Sequence, residues 1–182
     1  GYKKEKVKEY FGNGARWGVN INYIEESEEV PLGTAGPLKK GRALLTEAFI
    51  VTNGDELKDI NLEEMYELHK ENGALATIAL TTVPDPSNYG VAELSGSRIL
   101  RFIEKPPKDK APSNLINSGL YIFEPGVIDL IPDGFAMLEK DVFPIVAHEG
   151  KLVGYPFNGQ WFDTGNIDRY ERALQEWKGV SK

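Results

Sequence analysis

A three-layer α/β fold, with a mostly parallel sheet and an antiparallel hairpin in its second half, follows from three features of the sequence. Short apolar runs alternate with amphipathic helical patterns as far as Val83, the arrangement of strands joined by crossover helices. Phe49-Ile50-Val51-Thr52 is apolar and β-branched, as expected of a strand covered on both faces. Val91 to Leu94 and Ile99 to Glu104 flank Ser95-Gly96-Ser97, a hairpin with a short glycine turn.

The elements follow in order. Lys3 to Phe11 is a helical pattern with Val7, Tyr10 and Phe11 on one side and Gly12 as its stop. Val19, Ile21 and Tyr23 alternate with Asn20 and Asn22, which predicts a half-buried strand. Pro31-Leu32-Gly33-Thr34-Ala35-Gly36 is a tight loop feeding a helix. After the Phe49–Thr52 strand, Asn61 and Glu64 have the spacing of a capping box that opens a helix ending at Gly73. Ala76 to Val83 returns to strand character. Beyond the hairpin come a Pro- and Lys-rich loop from Lys105 to Pro112 and a strand over Gly119 to Phe123. Helical patterns around Val127 to Ile131 and Leu138 to His148 precede a strand near Leu152 to Phe157. In the last helix Ile167, Tyr170, Leu174 and Trp177 recur at three and four residues, which predicts one apolar stripe facing a core.

Bulk properties bound the function. With 182 residues and 41% hydrophobic composition, the chain closes one substantial core, so a single domain is expected. A net charge of −7 argues against a broad grip on nucleic acid, so any phosphate must be met locally by a metal, a few lysines or backbone N–H groups. The absence of cysteine removes disulfides, thiol catalysis and thiolate metal sites. No stretch approaches the roughly 20 apolar residues of a membrane span. A soluble, cytoplasmic protein is the expectation, with homo-oligomerisation left open.

Several residues carry candidate chemistry, each beside a plainer reading. Asp55 follows a strand in Asn53-Gly54-Asp55, where a carboxylate could hold a hard cation such as Mg2+; an Asn-Gly-Asp turn explains the same triplet. Asp163, in Trp161-Phe162-Asp163-Thr164-Gly165, could share that cation or simply cap the following helix. Glu104 suits vicinal hydroxyls and Lys105 suits a phosphate, although both also fit solvated surface charge. The glycine-bounded loop at 33–36 could accept a flat base or be a helix start. Asn117 with Gly119 and Tyr89 with Gly90 are weaker signals. His69 and His148 lie in helical patterns and are expected to be core or surface residues.

The order of these motifs is more specific than any one of them. Leu-Gly-Thr-Ala-Gly at 32–36, Asn-Gly-Asp at 53–55, Tyr-Gly-Val at 89–91, Phe-Ile-Glu-Lys-Pro at 102–106, Asn-Ser-Gly-Leu-Tyr at 117–121 and Trp-Phe-Asp-Thr-Gly at 161–165 resemble the sugar-1-phosphate nucleotidyltransferases, the NDP-sugar pyrophosphorylases. Pro112 to Asn117 and Leu138 to Pro144 look most like mannose-1-phosphate guanylyltransferases, with glucose-1-phosphate thymidylyltransferases as near relatives. The resemblance implies a Rossmann-like nucleotidyltransferase fold whose substrates are a nucleoside triphosphate and a sugar 1-phosphate, with Mg2+ as cofactor. It assigns Gly33, Thr34, Ala35, Asn53 and Gly54 to the nucleotide and Asp55 and Asp163 to the metal. Gly90, Glu104, Asn117 and Trp161 go to the sugar, and Lys105 to its phosphate; Asp55, Lys105 and Asp163 form the catalytic set. The family's first strand and its Gly-x-Gly-Thr-Arg-Leu loop have no counterpart here, so the expectation is one N-terminally shortened domain. It would comprise the remainder of a nucleotide-binding half (1–85), a sugar-binding half (86–165) and a C-terminal helix (166–182). The alternative on the same fold is a non-catalytic NDP-sugar-binding regulatory subunit.

Overall fold

Strand β3, Ala76–Thr82, is buried along all but its last residue and sets the two faces of the molecule. In the computed structural model, which describes residues 3–27 and 29–181, it is central to a six-stranded sheet. The other strands are β1 (Phe49–Thr52), β4 (Gly90–Ser95), β5 (Arg98–Glu104), β6 (Leu115–Phe123) and β7 (Leu152–Pro156), in the order β1-β6-β3-β7-β5-β4. Two three-residue strands, β2 (Glu56–Lys58) and β8 (Trp161–Asp163), form a separate antiparallel ribbon.

The α/β class is as expected, but strand direction is more mixed than a mostly parallel sheet. Only β3 and β7 pair in parallel; β1 with β6, β3 with β6, β5 with β7 and β4 with β5 are antiparallel. The physical reason is intercalation. Because β1 and β3 both run against β6, they run in the same direction as each other, as strands joined through a helix should. β6 then inserts between them and takes their ladder hydrogen bonds.

Side-chain alternation makes the three layers. Ala76, Ile78 and Leu80 of β3, with Tyr121 and Phe123 of β6, face one core. That core is closed by 3-10 turns at Pro125–Leu130, a π-helical segment at Leu138–Val142 and helix α4, Phe143–His148. Ala79, Leu120 and Ile122 face the opposite side and pack with Met65 of helix α3, Leu62–Glu71. Asn61 caps α3 by accepting from the Glu63 and Glu64 N–H groups at 3.1 and 3.2 Å. Its capped end therefore matches the predicted start.

Three predicted packing arrangements differ. Helix α1 (Lys4–Phe11) forms, but its apolar side is not in the core: Val7, Tyr10 and Phe11 are exposed, and Tyr10 and Phe11 gather with Trp17 instead. Residues 19–27 form no ladder, because alternation supplies an amphipathic edge but no described strand lies beside it. In helix α5, Ile167–Glu176, the predicted stripe points outward, with Ile167 74% and Leu174 68% exposed. The helix buries Ala173 instead, and it meets β8 through Arg169 on Asp163 and, just past its end, through Trp177, the one stripe residue that packs inward, edge-on to Phe162 at 6.0 Å. No helix among the described residues is long and apolar enough to cross a membrane.

Candidate functional site

The β2–β8 ribbon builds the site. Its register places Glu56 opposite Asp163 and Lys58 opposite Trp161, and Thr164 donates from both N–H and Oγ1 to the Asp55 carbonyl at 2.8 Å. Segments far apart in the chain are thus stitched side by side. A side chain at Gly165 would begin 3.0 Å from Asp163 Oδ1 and 3.5 Å from Asp55 Oδ2. The missing Cβ leaves a cradle between the two carboxylates. Gly165 donates its N–H to Asp163 Oδ1 at 2.8 Å, and Arg169, from the first turn of α5, forms an ion pair with Asp163 Oδ2. The cap of α5 is Asn166, which accepts from the Arg169 N–H at 2.9 Å, so Asp163 is not engaged as the helix cap. No group of three or more His, Cys, Asp or Glu with metal-site geometry occurs among the described residues. Two carboxylates nonetheless fit Mg2+, which commonly fills its remaining positions with phosphate and water.

The hairpin supplies the next group. Gly90 pairs with Glu104, and a Cβ at Gly90 would stand 2.3 Å from the Phe102 ring and 2.9 Å from Glu104 Oε2, so a larger residue would have to displace them. Burial, and then the neighbouring Glu139 carboxylate, raise the pKa of Glu104 above the ordinary carboxylate value, against Lys105 and Lys140. Lys105 adopts a left-handed backbone, φ 47°, held by its N–H to the Tyr89 carbonyl at 3.0 Å; the following Pro106 disfavours the helical alternative. Its side chain is 64% exposed, with the ammonium 3.8 Å from Glu104 and able to reach a ligand. Asn117 donates to the Tyr121 hydroxyl at 2.9 Å and accepts from Gly119 N–H at 2.9 Å, so both ends of its amide are engaged within the protein.

In the loop at 32–36, Ala35 is completely buried in the main core with its N–H on the Ala136 carbonyl. Gly33 has φ 74° and its Cβ would meet the Ala136 carbonyl oxygen at 2.3 Å, so this glycine answers a close backbone approach. Thr34 is exposed; its hydroxyl bonds Glu139 Oε2 and the Leu138 N–H, each at 2.9 Å. Above Gly54 the space is open: a Cβ there would meet no atom within 4 Å, and Asn53 and Asp55 are exposed on either side.

A cavity of about 460 Å3 opens beside the ribbon, lined by Tyr89, Trp161, Phe162 and Asp163 with Arg169 and Arg172. Of the expected sugar residues only Trp161 lines it; Gly90, Glu104, Lys105 and Asn117 lie outside. No local pattern singles out Arg169, Arg172, Glu139 or Glu56, whose importance arises from contacts across the chain. His69 is buried, as a core histidine, and His148 is exposed.

This α/β sheet with its accessory two-stranded ribbon is the fold of solved sugar-1-phosphate nucleotidyltransferases. The chain belongs to the nucleotidyl transferase family, whose model matches residues 1–178. It is 46% identical over 155 residues to mannose-1-phosphate guanyltransferase beta-B of Xenopus laevis, covering 82% of this chain and 42% of that protein. It is 40% identical over 187 residues to a UTP--glucose-1-phosphate uridylyltransferase of Synechocystis, covering 94% and 48%. The chain therefore spans less than half the length of these relatives. Among solved structures, a putative glucose-1-phosphate thymidylyltransferase from Bacillus anthracis superposes with a TM-score of 0.82 at 23% identity, over 98% of this chain and 74% of that one. A UDP-glucose pyrophosphorylase with bound UDP-glucose gives 0.78 at 22% identity, over 97% and 77%. Both show the shared fold.

Proposed function

We propose that this chain carries the metal and sugar-phosphate elements of an enzyme that joins a sugar 1-phosphate to a nucleoside triphosphate. The observation that carries the reading is the cradle at Gly165, with Asp55 and Asp163 on its two sides. A phosphate oxygen of the sugar 1-phosphate attacks the α-phosphorus, the bond from that phosphorus to the oxygen bridging toward the β-phosphate breaks, and pyrophosphate leaves as the NDP-sugar forms. The attacking oxygen is already anionic at neutral pH, so no general base is required. The residues contribute placement and charge. Asp55 and Asp163 would hold Mg2+, which would supply charge neutralisation for the phosphates. Lys105 meets the sugar phosphate, Glu104 and the Gly90 backbone meet sugar hydroxyls, Trp161 walls the sugar, and Gly33, Thr34, Asn53 and Gly54 face the nucleotide. Identity to the Xenopus guanyltransferase favours GTP and mannose 1-phosphate as the pair.

A second reading rests on Arg169. An Asp163 already neutralised by a guanidinium needs no metal, which favours a non-catalytic subunit that binds a finished NDP-sugar. Incubation with Mg2+, GTP and mannose 1-phosphate, scored for pyrophosphate, separates the two. Asp55→Asn and Asp163→Asn should each lower turnover by at least about 100-fold and weaken Mn2+ binding measured by electron paramagnetic resonance, with thermal melting unchanged. Wild-type turnover in either variant would remove the metal assignment.

A further inference from the structure

Between Asp55 and the sugar-facing ring of Trp161 stands a carboxylate that no motif marks. Glu56 is 12% exposed and accepts from three donors: Asn53 Nδ2 at 3.0 Å, Trp161 Nε1 at 3.1 Å and Lys58 Nζ at 3.0 Å. Lys58 is itself 4% exposed and also donates to Thr52 Oγ1 at 3.2 Å. The group is closely packed from below, since a Cβ at Gly119 would lie 2.4 Å from Asn53 Nδ2 and 2.6 Å from Glu56 Oε1. Gly119 has φ 64° and accepts the Asn53 N–H on its carbonyl at 2.8 Å, so the backbone there is shaped around the same cluster.

A nearly buried ion pair is a poor source of net stability, because desolvation offsets most of its attraction. It does fix orientation. An ionised carboxylate only accepts, so Asn53 must turn its amide nitrogen toward Glu56. The same group pins the indole N–H of Trp161, whose ring meets Tyr89 edge-on at 5.6 Å. One side chain thereby sets a polar group beside the metal carboxylates and an aromatic wall of the cavity.

We propose that Glu56 is a positioning residue that ties Asn53, on the nucleotide side, to Trp161, on the sugar side, so that the two substrates are held in one mutual geometry. The inference rests on the nucleotidyltransferase reading for the identity of those substrates, and on distances alone for the tie.

The test titrates GTP and mannose 1-phosphate separately, in Mg2+ buffer, into wild type and Glu56→Gln, and records the indole N–H resonances of Trp17, Trp161 and Trp177. Glu56→Gln should weaken both probes by roughly tenfold, the scale of one charge-assisted hydrogen bond. It should also move the Trp161 resonance, identified with Trp161→Phe, while Trp17 and Trp177 stay in place. In a Trp161→Phe background the effect of Glu56→Gln on mannose 1-phosphate should vanish and its effect on GTP persist; a merely structural role would leave both effects intact. An unmoved Trp161 resonance, or probe affinities within about twofold of wild type, would overturn the inference. A wild-type chain that binds both probes yet releases no pyrophosphate would overturn the reaction alone, and one that binds neither would overturn both.

Discussion

At the scale of single residues, Glu104 shows how placement sets chemistry. It is partly withdrawn from water, faces Glu139, and holds its proton more tightly than a free carboxyl of pKa 4.5. The sign follows from linkage: the folded state binds this proton more strongly than the unfolded chain. The stability it contributes is therefore complete below the ordinary carboxylate value and is lost as pH rises through the raised one. Glu104→Gln escapes that loss. Its melting temperature should exceed that of wild type at about pH 7 and the difference should close by about pH 4 in calorimetric scans, while affinity for sugar 1-phosphate falls. A gain of equal size at both pH values would show that Glu104 is not the titrating group.

At the scale of elements, α3 is tied to the sheet by a polar contact inside an apolar layer. His69 is 1% exposed, with Nδ1 on the Thr77 hydroxyl at 2.7 Å and Nε2 3.4 Å from Glu124. Burial lowers its pKa against the pull of Glu124, so the neutral ring is favoured. Thr77→Val keeps the shape of the side chain but strands a buried ring nitrogen. It should cost about 1–3 kcal/mol in denaturant unfolding, with the proposed pyrophosphate release unchanged; a loss under about 0.5 kcal/mol would mean that water or Glu124 replaces the bond. Element identity was largely legible along this stretch, because the Asn61 cap and the apolar run of β3 are local signals. The stripes of α1 and α5 misled for an equally local reason. Periodicity reports that a helix has an apolar side, but not which element that side meets, and in α5 the buried residue is Ala173 instead.

At the scale of the whole molecule, one aromatic cluster joins the main core to the β4–β5 hairpin. Phe143 meets Phe102 at 5.2 Å, Tyr121 at 5.4 Å and Phe123 at 6.2 Å between ring centroids, and the Phe102 ring lies directly against Gly90. Phe143→Ala should cost about 3–5 kcal/mol and, through Phe102, weaken sugar binding more than GTP binding; equal weakening of both would deny the coupling. The α/β class, most strands, the α3 cap, the hairpin and the ordered motifs that mark the family are all legible in the chain, because each is written in near neighbours. That β6 intercalates between β1 and β3, and that Ala35 is core, emerge only from long-range packing. The same holds for the β2–β8 ribbon that brings Asp55, Glu56, Trp161 and Asp163 together. Strands of three residues are too short for any periodic signal, and their pairing is a matter of long-range register, settled only when the sheet, the hairpin and α5 have closed around them.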